Sequence, residues 1–188
     1  MKPGALLLFP GAGSDRDHSS LRALEDALAP RLPVARADFP YRRAGRKAPD
    51  RPPVLLECVR TEAAALVARA HIRADRLVLG GRSMGGRICS MAVADGLPAR
   101  GLVLISYPLH PPGRPDRLRI EHLTLLDLPC LIIQGTKDPF GTPDELTEAT
   151  ASIPGPVTHV WIDGGRHDLA RADEQIVAAV TSWLRGLT

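Results

Sequence analysis

The sequence predicts an α/β protein, a three-layer α/β/α sandwich built as one domain over residues 1–188. Three observations predict it. Short apolar runs bounded by turn residues recur along the chain, as strands buried on both faces do. Stretches of helical periodicity, or long loops, separate successive runs, so the strands should be parallel and the crossovers right-handed. Glycine- and aspartate-bearing turns follow the runs, where open parallel sheets place their ligands.

Six strands are expected. Ala5–Phe9, Leu77–Leu79, Leu102–Ile105 and Leu131–Ile133 are wholly apolar and read as central strands. The segment from Pro33 to Phe39 (PVARADF) mixes small and polar residues and reads as a weaker strand near an edge. Pro156–Ile162 (PVTHVWI) alternates apolar and polar and reads as the last strand. Between them, Leu21, Leu24 and Leu28 fall at helical spacing. So do Leu55, Val59, Leu66 and Ala70, then Met84, Ile88 and Met91, and finally Ile176, Val180, Trp183 and Leu187. Pro143 with Asp144 and Glu145 opens a further helix, with Thr142 as its cap.

Composition narrows the function classes. At 44% hydrophobic and 24% charged, the chain matches a globular domain able to bury a core. No apolar run approaches the ~18 residues of a membrane-spanning helix, and Ala5–Phe9 is too short for a signal peptide. The net charge of +3 is uneven: six cations stand against Asp38 and Asp50 over residues 36–51. That is a basic loop on a neutral domain, not the broad basic face of a nucleic-acid binder. Cys58, Cys89 and Cys130 have neither metal nor redox spacing, so a reducing cytoplasm is the simplest setting.

The strongest chemical signal is Gly81-Arg82-Ser83-Met84-Gly85, between the strand ending at Leu79 and the helix carrying Ile88. A serine on a sharp strand-to-helix turn has its hydroxyl aimed out of the sheet. Glycines two before and two after it let strand and helix pass closely. Chance alone places this pattern somewhere in such a composition with odds of roughly 6%, before the strand–helix context is required.

A serine hydroxyl needs a base to take its proton and an acid to orient the base. In sheets of this kind the chain order is Ser, then Asp or Glu, then His. Asp138 follows the strand Leu131–Ile133, and His167 follows the last strand. Both lie in the loops that the chemistry requires. Asp163 and Asp168 flank His167 as rival acids. Asp163 reads as a strand end, and Asp168 as a cap for the final helix near Leu169. After the first strand, Pro10-Gly11-Ala12-Gly13 forms a turn able to present the Ala12 N–H, with the Met84 N–H as a second oxyanion donor. A dinucleotide loop is disfavoured there, because Arg16 stands where the third glycine belongs.

Together these residues resemble the α/β-hydrolase superfamily. More closely, the chain resembles its small dienelactone-hydrolase-like branch, shared with the KANL/Tex hydrolase-like proteins. The likeness rests on FPGAGSD, RRAGRKAPDRPP, GGRSMGGR, YPLHPPGRP, QGTKDPFGTP and DGGRHDL, spread over nearly the whole chain. Pro10 stands where relatives carry a histidine, and Ser83 where dienelactone hydrolases carry cysteine, which points to ester-type chemistry. The resemblance implies a minimal α/β-hydrolase core without a lid domain and without metal or cofactor. It implies catalytic Ser83, Asp138 and His167 acting on a small-molecule ester or thioester. Some relatives are interaction modules, so a catalytically quiet domain is the alternative.

Two segments are expected to shape the substrate site. Tyr107–Pro115 is proline-rich and reads as a stiff loop lining it, within a segment, Ser106–Pro129, that holds at most one short helix, around Asp116–Leu123. The basic loop Tyr41–Arg51 follows the second strand, so Arg42, Arg43 and Arg46 are candidate binders of an anionic group, and His110 is a fourth candidate. Arg82 and Arg87 flank Ser83 and could act in the same way.

Overall fold

Every residue of Ala5–Phe9 (β1) is buried, because this strand sits inside a sheet with helices on both faces. The computed structural model describes residues 2–187. The other strands are β2 (Val34–Arg36), β3 (Leu77–Arg82), β4 (Gly101–Ile105), β5 (Cys130–Gly135) and β6 (Val157–Ile162). They form one sheet in the order β2-β1-β3-β4-β5-β6, and every neighbouring pair is parallel. The helices are α1 (Ser19–Leu28), α2 (Pro40–Arg43), α3 (Pro52–Arg69), α4 (Met84–Ala94), α5 (Pro143–Thr150) and α6 (Asp173–Gly186).

Strand alternation sorts the core into two layers. Leu6, Leu8, Val78, Val103, Ile105, Leu131 and Ile133 meet α1 and α6 through Leu21, Leu24, Ile176 and Val180. Leu7, Phe9, Leu79, Leu104 and Ile132 face the other way, against Leu55, Val59 and Leu66 of α3 and Ile88 of α4. The spacings read as helical are helical except at two ends, where Ala70 is the C-cap of α3 and Leu187 the extended C-cap of α6. On α4 Gly85, Gly86, Ile88, Cys89, Ser90 and Ala92 are buried, and Met84 and Met91 flank them half-buried.

Two expectations are corrected, for the second strand and for Asp168. The second strand covers only Val34–Arg36, because it pairs with β1 alone and Pro40 then opens α2. Between Ser106 and Pro129, where at most one short helix is expected, none forms around Asp116–Leu123. There the Arg119 amide donates to the Leu109 carbonyl and its own carbonyl accepts the Tyr107 hydroxyl, so the loop closes on itself, and one 3₁₀ turn follows at Leu123–Leu125. Asp168 does not cap α6, which begins four residues beyond Leu169 at Asp173 with Ala172 as N-cap. Its carboxylate instead accepts the amide of Ala170, two residues on.

The chain steps from β1 out to β2 and then back across to β3, so β1 and β3 are neighbours with crossovers leaving in opposite directions. A crevice opens outside the carboxyl ends of two such strands. At the opposite edge, Lys2 and Pro3 share a surface groove with Leu184, Arg185 and Leu187, so Lys2 and Leu187 lie away from that crevice. Among the described residues no helix is long and apolar enough to cross a membrane, and no inserted lid domain covers the crevice.

Candidate active site

Ser83 is the N-cap of α4 and holds φ 46° and ψ −118°, a left-handed conformation that strains any residue with a side chain. Its surroundings fix it there. The Ser83 amide donates to the Ile105 carbonyl (2.8 Å) and its carbonyl accepts the Arg87 amide (3.1 Å). The flanking glycines are needed for close approach. A Cβ at Gly81 would lie 2.1 Å from the Phe9 carbonyl oxygen, and one at Gly85 would lie 2.4 Å from the same atom. Strand β1 therefore passes directly beside the turn that carries Ser83.

His167, in the loop after β6, brings Nε2 within 2.8 Å of Ser83 Oγ. Its Nδ1 lies 2.8 Å from Asp138 Oδ2 and 3.0 Å from Oδ1. A carboxylate only accepts, so Nδ1 carries the proton and Nε2 is left to accept from the serine hydroxyl. Asp138 is buried and fully engaged, since it also accepts the Phe140 amide (2.8 Å) and the Gln134 side-chain amide (2.9 Å). The Phe140 ring stacks on the imidazole at 4.0 Å. The rival acids point elsewhere: Asp163 accepts the Thr136 hydroxyl, and neither it nor Asp168 bonds to His167.

These groups open into a cavity of about 970 Å³, with Gly11, Ala12, Ser83, Met84 and His167 in its wall. Met84 is the first residue of α4, so its N–H has no partner within the helix. The loop bearing Ala12 is tied down by the Tyr41 hydroxyl, which donates to the Ala12 carbonyl (2.8 Å). Arg82 is buried, and burial pushes its pKa below the ordinary value. Its guanidinium donates to the carbonyls of His167 (3.1 Å) and Asp168 (2.8 Å), which joins the serine turn to the histidine loop.

The four candidate binders are not brought to the cavity wall. Arg42 faces Asp15, Arg43 pairs with Glu62 and Arg46 pairs with Asp50. The basic loop turns away because α2 buries Tyr41 and leaves the guanidinium groups to nearby carboxylates. His110 is also buried outside the wall, between the Pro111 carbonyl and Glu145. Residues that sequence reasoning passed over do reach the site: Gln134, Phe140, Tyr41 and Arg119. Gln134 and Phe140 stand four before and two after Asp138, where neither residue type carries a chemistry of its own to mark it. Nothing local marks Arg119. Among the described residues, no cluster of three or more His, Cys, Asp or Glu is placed to hold a metal ion.

A parallel sheet with helices on both faces and a serine on a strained turn after its third strand is the architecture of the α/β hydrolases. Residues 2–182 match the family model described as an alpha/beta hydrolase domain, and the chain belongs to that family. Among solved structures it resembles the dienelactone hydrolase of Anabaena variabilis, with TM-score 0.78 and 18% identity over 99% of this chain and 87% of that one. It also resembles the type II thioesterase BorB of the borrelidin biosynthetic cluster, with TM-score 0.71 and 20% identity over 97% and 93%. A third is Est1E of Butyrivibrio proteoclasticus, with TM-score 0.70 and 16% identity over 99% and 88%.

Proposed function

We propose that the protein is a serine hydrolase of carboxylic esters or thioesters, in which Ser83, His167 and Asp138 act as a catalytic triad. The single observation that carries this reading is the continuous hydrogen-bonded chain from Ser83 Oγ through His167 to Asp138. The esterase and thioesterase folds among its structural neighbours support the substrate class.

The reaction on this reading is a two-step acyl transfer. Ser83 Oγ attacks the carbonyl carbon while its proton passes to His167 Nε2. Asp138 holds the imidazole in the working tautomer and stabilises the imidazolium. The N–H groups of Ala12 and Met84 receive the developing oxyanion, where losing one donor costs ~3 kcal/mol of transition-state stabilisation. His167 gives the proton to the departing alkoxide or thiolate. Water, deprotonated by His167, then cleaves the acyl-enzyme, and the proton returns to Ser83. The three buried thiols fit a reducing, cytoplasmic setting.

A fluorophosphonate probe tests the reading. The folded protein is expected to label stoichiometrically and the Ser83→Ala variant not at all. Absence of labelling, or equal labelling of both, would establish a catalytically quiet fold instead.

A further inference from the structure

Five cations line the cavity beside Ser83, against Asp168 as the one lining carboxylate among the described residues. Three of them are accounted for. Arg82 is spent on backbone carbonyls, and Lys137 and Arg166 are exposed to water. Arg87 and Arg119 are different.

Arg87 stands one turn into α4, directly after Ser83, and is half-buried. Its Nε is shielded from solvent without a hydrogen-bond partner, and its guanidinium makes no ion pair among the described residues. Arg119 reaches in from the loop after β4, also half-buried, and spends one N–H on the Pro108 carbonyl (3.2 Å). Among the described residues no carboxylate pairs with it. Burial first, and then the charge of Arg87, hold the Arg119 pKa below its ordinary value, so the two guanidinium groups feel one another. The groups around them do not neutralise them. Tyr107 has its hydroxyl on the Arg119 carbonyl, and His122 is held neutral at neutral pH, with a pKa of about 4. Glu121 is near enough to act on His122 and Tyr107 but forms no ion pair with either arginine.

Two like charges, partly withdrawn from water and without a counter-ion, are costly. An orphaned buried donor calls for a partner from outside the chain. A planar guanidinium pair matches the oxygens of a carboxylate or phosphate. We propose that Arg87 and Arg119 form an oxyanion-binding subsite beside Ser83, so that the substrate carries a carboxylate or phosphate group in addition to its ester or thioester. This inference rests on the hydrolase reading for the word substrate, but not for the binding of the anion.

Two experiments test it and separate its failure from that of the hydrolase reading. In the first, the mono-p-nitrophenyl ester of adipate is compared with p-nitrophenyl hexanoate, an uncharged ester of equal chain length. The expected ratio of kcat/KM is about tenfold or more in favour of the charged ester, the scale of one charge-assisted hydrogen bond. It should fall toward one in Arg87→Gln and in Arg119→Gln. It should hold in Arg73→Gln, which removes a charge at the opposite edge of the sheet. In the second, Tm of the Ser83→Ala protein is followed with added adipate or inorganic phosphate, and a rise is expected that Arg87→Gln abolishes. Charged-ester preference assigns the oxyanion to a carboxylate, and a Tm rise with phosphate alone assigns it to a phosphate. A wild-type ratio of one together with an unmoved Tm overturns the subsite, as does a ratio or rise that persists in both arginine variants. If neither ester turns over and the probe does not label, the hydrolase reading fails, and the Tm arm still decides the subsite.

Discussion

Asp138 shows how tightly one residue can be specified. Its carboxylate takes His167, the Phe140 amide and the Gln134 amide at once, while Gln134 also donates to the Tyr107 and Gly141 carbonyls. Asp138→Asn should lower hydrolysis nearly as far as Ser83→Ala, by ~10³-fold or more, because the amide favours the wrong imidazole tautomer. Gln134→Met keeps the shape and removes a hydrogen bond to a charged group, which is worth about 1.5–3 kcal/mol. Steady-state kinetics should show kcat falling with KM nearly unchanged, as befits a residue that positions Asp138 and never touches substrate. A larger change in KM than in kcat would assign Gln134 to binding. Ser83, Asp138 and His167 were legible as candidates because each stands in the turn or loop after a strand and the chain order restricts the choice. Gln134 was not, since an amide after an apolar run has no chemistry until its neighbour is known. The misplacement of Arg42, Arg43 and Arg46 has the same root: edge and strand could be read, but the acidic partners across the surface could not.

Among the elements, the turn between β3 and α4 is the most constrained. Gly85→Ala would drive a methyl against the Phe9 and Pro10 carbonyls, both within 2.5 Å of the new Cβ, and backbone cannot step aside as a side chain can. A loss of about 3 kcal/mol or more is expected by urea denaturation. A variant within 1 kcal/mol of the parent would show that β1 and α4 are free to separate. Helix α5 offers a milder case. Thr142 and Glu145 form a reciprocal capping box, so Thr142→Ala should cost about 1 kcal/mol without altering the site. Central strands and long helices were legible because burial on both faces and a 3.6-residue period are local properties. The short second strand and the non-helical path of the chain before Leu123 were not. Both were decided by long-range hydrogen bonds, the one to β1 on a single side and the other from Arg119 to Leu109.

For the whole molecule, the buried titratable groups set a pH window. Burial, and then Arg87, lower the His122 pKa to about 4, while burial also lowers His18 and His159. An unfolded histidine titrates near ~6.5, so the unfolded chain binds these protons first. Their contribution is complete above pH 6.5 and is lost as pH falls toward 4. The urea midpoint should therefore drop between pH 7 and pH 5, before carboxylates titrate, and His122→Gln should flatten part of the drop. A midpoint that is level across that range would show the imidazoles to be solvated. The thiols respond on the basic side. Burial pushes Cys58 up to about 11 and Cys130 to about 12, and raises Cys89 as well. A disulfide reagent at pH 8 should react slowly with the native protein and with all three cysteines after unfolding.

The neighbouring positions of Lys2 and Leu187 carry a practical consequence. Lys2 and Pro3 meet the last turns of α6 at the edge of the sheet where the strands begin, whereas Ser83 and its cavity open at the edge where they finish. Attachment to a solid support through Lys2 or through a residue placed at Leu187 should therefore present every molecule with its cavity facing outward. A layer fixed in that way would be expected to retain its full complement of reachable serines, whereas random coupling through Lys137 would block the mouth itself.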